Sequence, residues 1–181
     1  VTGAGSLTKN GLSDLTLAGN NTFTGALNIV SGSVTTLNTN ALGNTAGFNI
    51  SAGAGLNLGS DASLGALTGS GSVQLTGSNS LTVGSGNVTS TFDGDLSGSG
   101  GLIKVGTGTL NLTGINGITG DTAINSGIVN LSGSLASAQI NVNTGGTLSG
   151  TGSALGTVNV NSGGHLALSS GNQLSAGALT L

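Results

Sequence analysis

Apolar residues along this chain come in pairs separated by a single polar residue. Leu56 and Leu58, Val73 and Leu75, Leu81 and Val83, Leu110 and Leu112, Val129 and Leu131, and Leu179 and Leu181 all keep that spacing. A period of two predicts short strands, with the apolar pair facing inward and Thr, Asn or Ser facing water. Strands this short bury no core alone. Helix is not expected, because Gly, Ser, Thr and Asn dominate and no apolar pattern of helical period lasts beyond a turn.

The pattern repeats at two scales. Gly5 to Val34 lies over Gly100 to Val129 without a gap, matching Leu7 with Leu102, Lys9 with Lys104, Leu15 with Leu110, Asn21 with Asn116 and Gly32 with Gly127. At the shorter scale INVNTGGTL, from Ile140, returns as VNVNSGGHL 18 residues on, from Val158. That is the period of one solenoid coil. Gly-rich punctuation at Asn143-Thr144-Gly145-Gly146 and Asn161-Ser162-Gly163-Gly164 supplies the corners. Short strands, recurrent corners and a coil of about 18–25 residues predict an all-β parallel β-solenoid, a single segment over residues 1–181. About nine coils at roughly 4.8 Å each would make a rod of roughly 40 Å. A β-sandwich, the competing architecture, does not require corner motifs at coil spacing.

Composition excludes several classes. The chain has 37 glycines, no proline or cysteine, 4% charged residues and a net charge of −3, so it matches neither charged disordered segments nor collagen. Without cysteine it has no disulfide framework and no thiolate metal site. Apolar runs are too short for a membrane-spanning helix. Lys9 and Lys104 are the only permanent cations, too few to neutralise a run of phosphates, and no nucleic-acid partner is expected.

The residues also carry a likeness. FDGDLSGSGGLIKVGTGTLNLTGINGITGDTAINSGIVNL, Phe92 to Leu131, resembles the passenger-associated repeat of bacterial autotransporters in its G-L-x-K-x-G-x-G-T-L-x-L-x-G core, the Asn and Gly that follow, and the closing S-G. The copy at Gly5 to Val34 departs at Leu12-Ser13-Asp14, where the pattern prefers T-G-T. Gly156 to Leu181 is similar to a stretch that often follows in such passengers, with Leu168-Ser169 in place of the usual proline step. The resemblance implies a right-handed parallel β-helix, moved to the surface of a Gram-negative cell with the help of a C-terminal β-barrel and carrying various activities. By that reading the chain is a passenger fragment, secreted or tethered to the outer membrane.

Candidate chemistry is sparse. Asp93 and Asp95 are the two acids close in sequence, and Phe92-Asp93-Gly94-Asp95 reads as a solvated corner rather than a Ca²⁺ site or a glycosidase-like pair. The repeat does not preserve Asp14 or Asp121, whose counterparts are Thr109 and Ala26, so both read as surface decoration. His165 falls in the outward slot of G-G-x-L without a nearby acid. Lys9 and Lys104 share one repeat position, and of the roles open to them (capping a coil edge, pairing with a carboxylate, contacting an anionic sugar, or standing exposed against edge pairing) the exposed lysine is expected. Asn141, Asn143, Asn159 and Asn161 recur at coil spacing and predict stacked amide ladders. No catalytic, cofactor or metal residue is assigned.

These readings point to a non-enzymatic extracellular stalk acting in adhesion, autoaggregation or display. Its expected partners are glycans or proteins of host or sister cells, together with self-association through coil ends or faces, since the segment begins and stops without an evident cap. The alternatives are a filament subunit that polymerises through those ends, and a polysaccharide-acting enzyme on a β-helix, for which five Asp and two Lys are a poor supply.

Overall fold

The structure, a computed structural model, describes residues 1–168 and 173–181; the Leu168-Ser169 step runs into residues outside that range. Strands pair in parallel throughout, most of them with both the strand one coil before and the strand one coil after. In one coil Leu67–Gly69, Ser72–Leu75 and Ser80–Val83 occupy a first, second and third face. The next coil repeats the order with Ser90–Phe92, Asp95–Gly98 and Gly101–Lys104. About nine such coils stack into a parallel β-solenoid. Register advances by 18 residues from Ile140 to Val158 and by 23 from Gly69 to Phe92, so the coil length varies within the expected range. Among the described residues no helix is long and apolar enough to cross a membrane.

The core consists of columns running along the axis. Leu81, Leu102, Thr122, Ile140 and Val158 stand over one another on the third face, and Leu15, Val34, Leu56, Val73 and Leu96 on the second. The three phenylalanines, Phe23, Phe48 and Phe92, are all buried. Five of the six predicted apolar pairs point inward, but Leu179 and Leu181 are exposed. Among the described residues the strand Ser175–Thr180 pairs only with Ser153–Val160.

Corners explain the glycine content. Between the first and second faces the chain turns at Gly71, Gly94, Gly114, Gly133 and Gly152 in successive coils. A Cβ on Gly94 would lie 1.8 Å from the Gly71 carbonyl oxygen, one on Gly114 2.0 Å from that of Gly94, and one on Gly133 2.0 Å from that of Gly114. Each glycine therefore seats directly on the peptide of the glycine one coil below, and any side chain would separate the coils.

One inward position is chemically mismatched. Thr36 stands between Leu17 and Leu58 in a second-face column, is 1% exposed, and its hydroxyl has no hydrogen-bond partner. Thr36→Val keeps the shape and removes the orphaned hydroxyl, so it should raise stability by about 1 kcal/mol. Urea unfolding of the two proteins checks this, and a lower midpoint for the valine variant would refute it.

Candidate functional site

Polar residues of the repeat lie inside the rod or bridge its coils. Alternation through Leu102, Ile103 and Lys104 turns Lys104 inward, where it stands between Val83 and Ile124 and is 1% exposed. Its Nζ donates to the carbonyls of Val105 at 2.6 Å, Gly106 at 2.9 Å and Ser126 at 3.3 Å. The ammonium thus ties the corner of its own coil to the corner of the next, and burial lowers its pKa from the usual lysine value. Lys9 makes the corresponding bonds to the carbonyls of Gly11 and, at 3.1 Å, Ser31. The expected exposed lysine is therefore wrong for Lys104: the inward phase of the strand overrides the preference of a charge for water, and three carbonyls replace its hydration.

Asn116 is the second internal bridge. It is 1% exposed, accepts from the Leu96 amide at 3.2 Å, and donates to the carbonyls of Gly114 at 3.1 Å and Ser134 at 3.0 Å. One side chain thereby joins three consecutive coils. Asn21 does the same in the first copy, accepting from the nitrogen of Val1 at 2.5 Å and donating to Gly19 at 3.3 Å and Ala41 at 2.6 Å. Asn116→Ala should cost about 2–3 kcal/mol, because buried backbone groups in three coils lose their partner. Asn159→Ala, at a partly exposed ladder position, should cost less than about 1 kcal/mol. Equal urea midpoints for the two variants would refute this ranking.

The two repeat copies do not face the same way. Leu7 belongs to a first-face column and its counterpart Leu102 to a third-face column, while Leu15 lies on the second face and Leu110 on the first. The second copy is thus rotated by one face about the rod. Its internal bridges survive the rotation, so the motif encodes a local clamp across coils rather than a surface on one side.

Outside the rod, the acids accept hydrogen bonds between coils. Asp93 accepts from the Thr113 hydroxyl at 2.5 Å and Asp95 from the Ile115 amide at 3.1 Å, on either side of the Gly94 corner. Asp61 accepts from the Ser80 amide at 2.7 Å. Asp14 accepts from the hydroxyls of Ser33 at 2.7 Å, Thr35 at 2.9 Å and Thr16 at 3.1 Å. The Ser33 bond leads the causes that lower its pKa, so Asp14 organises hydroxyls across two coils as well as decorating the surface. Asp121 and His165 are exposed, His165 in register with Thr147 on the outer side. Among the described residues no three His, Cys, Asp or Glu side chains converge on a metal position.

The expected amide ladders are present. Asn161 donates to Asn143 and Asn143 to Asn125, both at 2.7 Å, and Asn159 donates to Asn141 at 2.9 Å. A further ladder, not anticipated from the short repeat, runs from Asn130 to Asn111 at 2.9 Å and on to Thr91 at 3.1 Å. Its signal in the sequence is the outward residue between the apolar pairs Leu110/Leu112 and Val129/Leu131.

Comparison with known proteins agrees with this architecture. The passenger-associated-transport-repeat model matches residues 7–54 and 102–131, the two segments that carry the internal clamps. The chain is also 45% identical over 62 residues to an extracellular serine protease of Serratia marcescens, a stretch that makes up 34% of this chain and 6% of that protein. No solved structure matches the chain at a significant level. The chain thus carries two passenger-associated transport repeats, wound into a parallel β-solenoid.

Proposed function

We propose that this segment is a non-enzymatic stalk on the outside of a Gram-negative cell, serving adhesion, autoaggregation or display of another domain. The observation that carries the reading is the use made of the repeat's polar residues. Lys104 and Asn116 direct all their hydrogen bonds at main-chain groups of their own and the adjoining coils, which stiffens a rod. The outer faces offer many uncharged hydrogen-bonding groups to a partner surface. Similarity to an extracellular serine protease supports display, with a rod of this kind holding out an activity carried elsewhere in a longer protein.

A deletion that respects register tests the proposal. Leu67, Ser90, Leu110 and Val129 follow one another down the first face, so removing residues 67–128 from the full gene product takes out whole coils and rejoins the columns. Cells bearing the shortened product should settle and adhere less, with any hydrolytic activity of the product unchanged. Loss of hydrolysis with adherence intact would overturn the non-enzymatic reading. If neither changes, the adhesive role falls.

A further inference from the structure

The first face carries one outward position that holds a hydrogen-bonding side chain in coil after coil: Thr8, Asn28, Asn49 and Thr68, then Thr91, Asn111, Asn130 and Ser149. The two halves of this rail differ. From Thr91 onward it closes on itself: Asn111 donates to Thr91, Asn130 to Asn111, and Ser149 to Asn130 at 3.4 Å. In the earlier half the Asn28 amide makes no hydrogen bond among the described residues, and Asn49 only accepts, from Thr68 at 3.4 Å. The neighbouring outward position changes at the same place. It is Ala26, Gly47 and Ala66 beside the open amides, but Thr109, Ile128 and Thr147 beside the closed ones. Missing side chains and unpaired amides thus coincide, leaving a groove of about 230 Å³ along the axis with Ala26, Gly47 and Ala66 as its floor and Asn28, Asn49 and Thr68 as its rail.

We propose that this groove binds a neutral, linear polysaccharide segment lying along the rod. The proposal rests on the adhesive reading above and deepens it. Each amide presents a donor and an acceptor side by side, which suits the paired hydroxyls of a sugar ring. One amide or hydroxyl recurs per coil, roughly every 4.8 Å, so a polymer that repeats its hydroxyls along the axis meets the rail again at each step. No charged residue lines the groove, so an acidic glycan gains nothing from it. An added peptide strand does not fit either, because the strands under the groove are already paired on both sides and the groove runs across them. With few contacts per ring, the affinity of a single groove is low and depends on many rods on one surface.

The test uses the 181-residue chain with maltohexaose and cellohexaose as neutral probes and hyaluronan oligosaccharides as the acidic one. The expected result is a saturable shift of the Asn28 and Asn49 side-chain amide resonances and the Ala26 and Ala66 methyls with a neutral probe. Ala66→Leu fills the floor from outside the core and should weaken the response about tenfold. Unmoved Asn111 and Asn130 amides in that variant report that the fold is intact. No shift with either neutral probe, an equal response from Ala66→Leu, or a response to hyaluronan alone would overturn the proposal. Cells that still adhere through the full product while the groove stays silent would sink the groove and leave the adhesive reading standing.

Discussion

Replacing Gly114 by alanine should cost about 3 kcal/mol or more, the upper end of what overpacking a close-packed interior does. The added Cβ would stand 2.0 Å from the Gly94 carbonyl oxygen and 3.0 Å from that of Asp93. Both obstacles are backbone held by coil-to-coil pairing, so no flexible side chain can swing away. Relief requires the two coils to part, which breaks hydrogen bonds on the adjoining faces and carries the strain up to Gly133, seated on Gly114 in turn. Gly117→Ala is the matched control, because its Cβ would face open space with the nearest atom, the Leu96 carbonyl oxygen, at 4.0 Å. That variant should be neutral or slightly stabilised, by about 0.5 kcal/mol, through a less flexible unfolded chain. Thermal and urea unfolding of both variants decide the matter, and a Gly114→Ala protein as stable as Gly117→Ala would show that the corner is not close-packed.

Much of the architecture was legible because a solenoid is a local code. Period-two alternation at Leu81-Thr82-Val83 fixes which side is inside, and recurrence of INVNTGGTL as VNVNSGGHL fixes the coil. Amide ladders at Asn141 and Asn159 then follow from register alone, since like side chains at one position must stack. The two-copy alignment was legible as well. Its orientation was not, because Leu7 and Leu102 are separated by coils of unequal length, and nothing in the aligned residues records how far the rod has turned between them.

At the candidate site two rules compete. Alternation through Leu102 and Lys104 turns the lysine inward, whereas charge argues outward, and in the strand alternation wins. Asn116 was harder to foresee. Its three partners lie in three coils, 20 residues back at Leu96 and 18 residues on at Ser134, and only the register of the coils brings those positions around one inward amide. The groove at Ala26, Gly47 and Ala66 was invisible for a related reason: small residues become a floor only once register places them side by side.

Lys104→Met should cost about 3 kcal/mol at neutral pH, and the size of that cost should depend on pH in a defined direction. Methionine nearly matches the lysine stem and fills the column between Val83 and Ile124, so little cavity forms. What is lost is the donor to the Val105, Gly106 and Ser126 carbonyls, leaving acceptors at two stacked corners without a partner. Against that loss stands relief from burying a charge, which lowers the lysine pKa below the usual 10.5. In the folded protein the proton is held less tightly than in the unfolded chain. The burial penalty is therefore present in full below the folded pKa, and wild-type stability gains as pH rises from there toward 10.5. The methionine variant lacks this titration, and the neutral amine still has two N–H groups to donate. The stability gap between wild type and Lys104→Met should thus widen as pH is raised from neutral into the alkaline range, measured as the difference in urea midpoints. A gap that narrows would mean that the positive charge at the corners, rather than the geometry of the donor, is what holds the coils together.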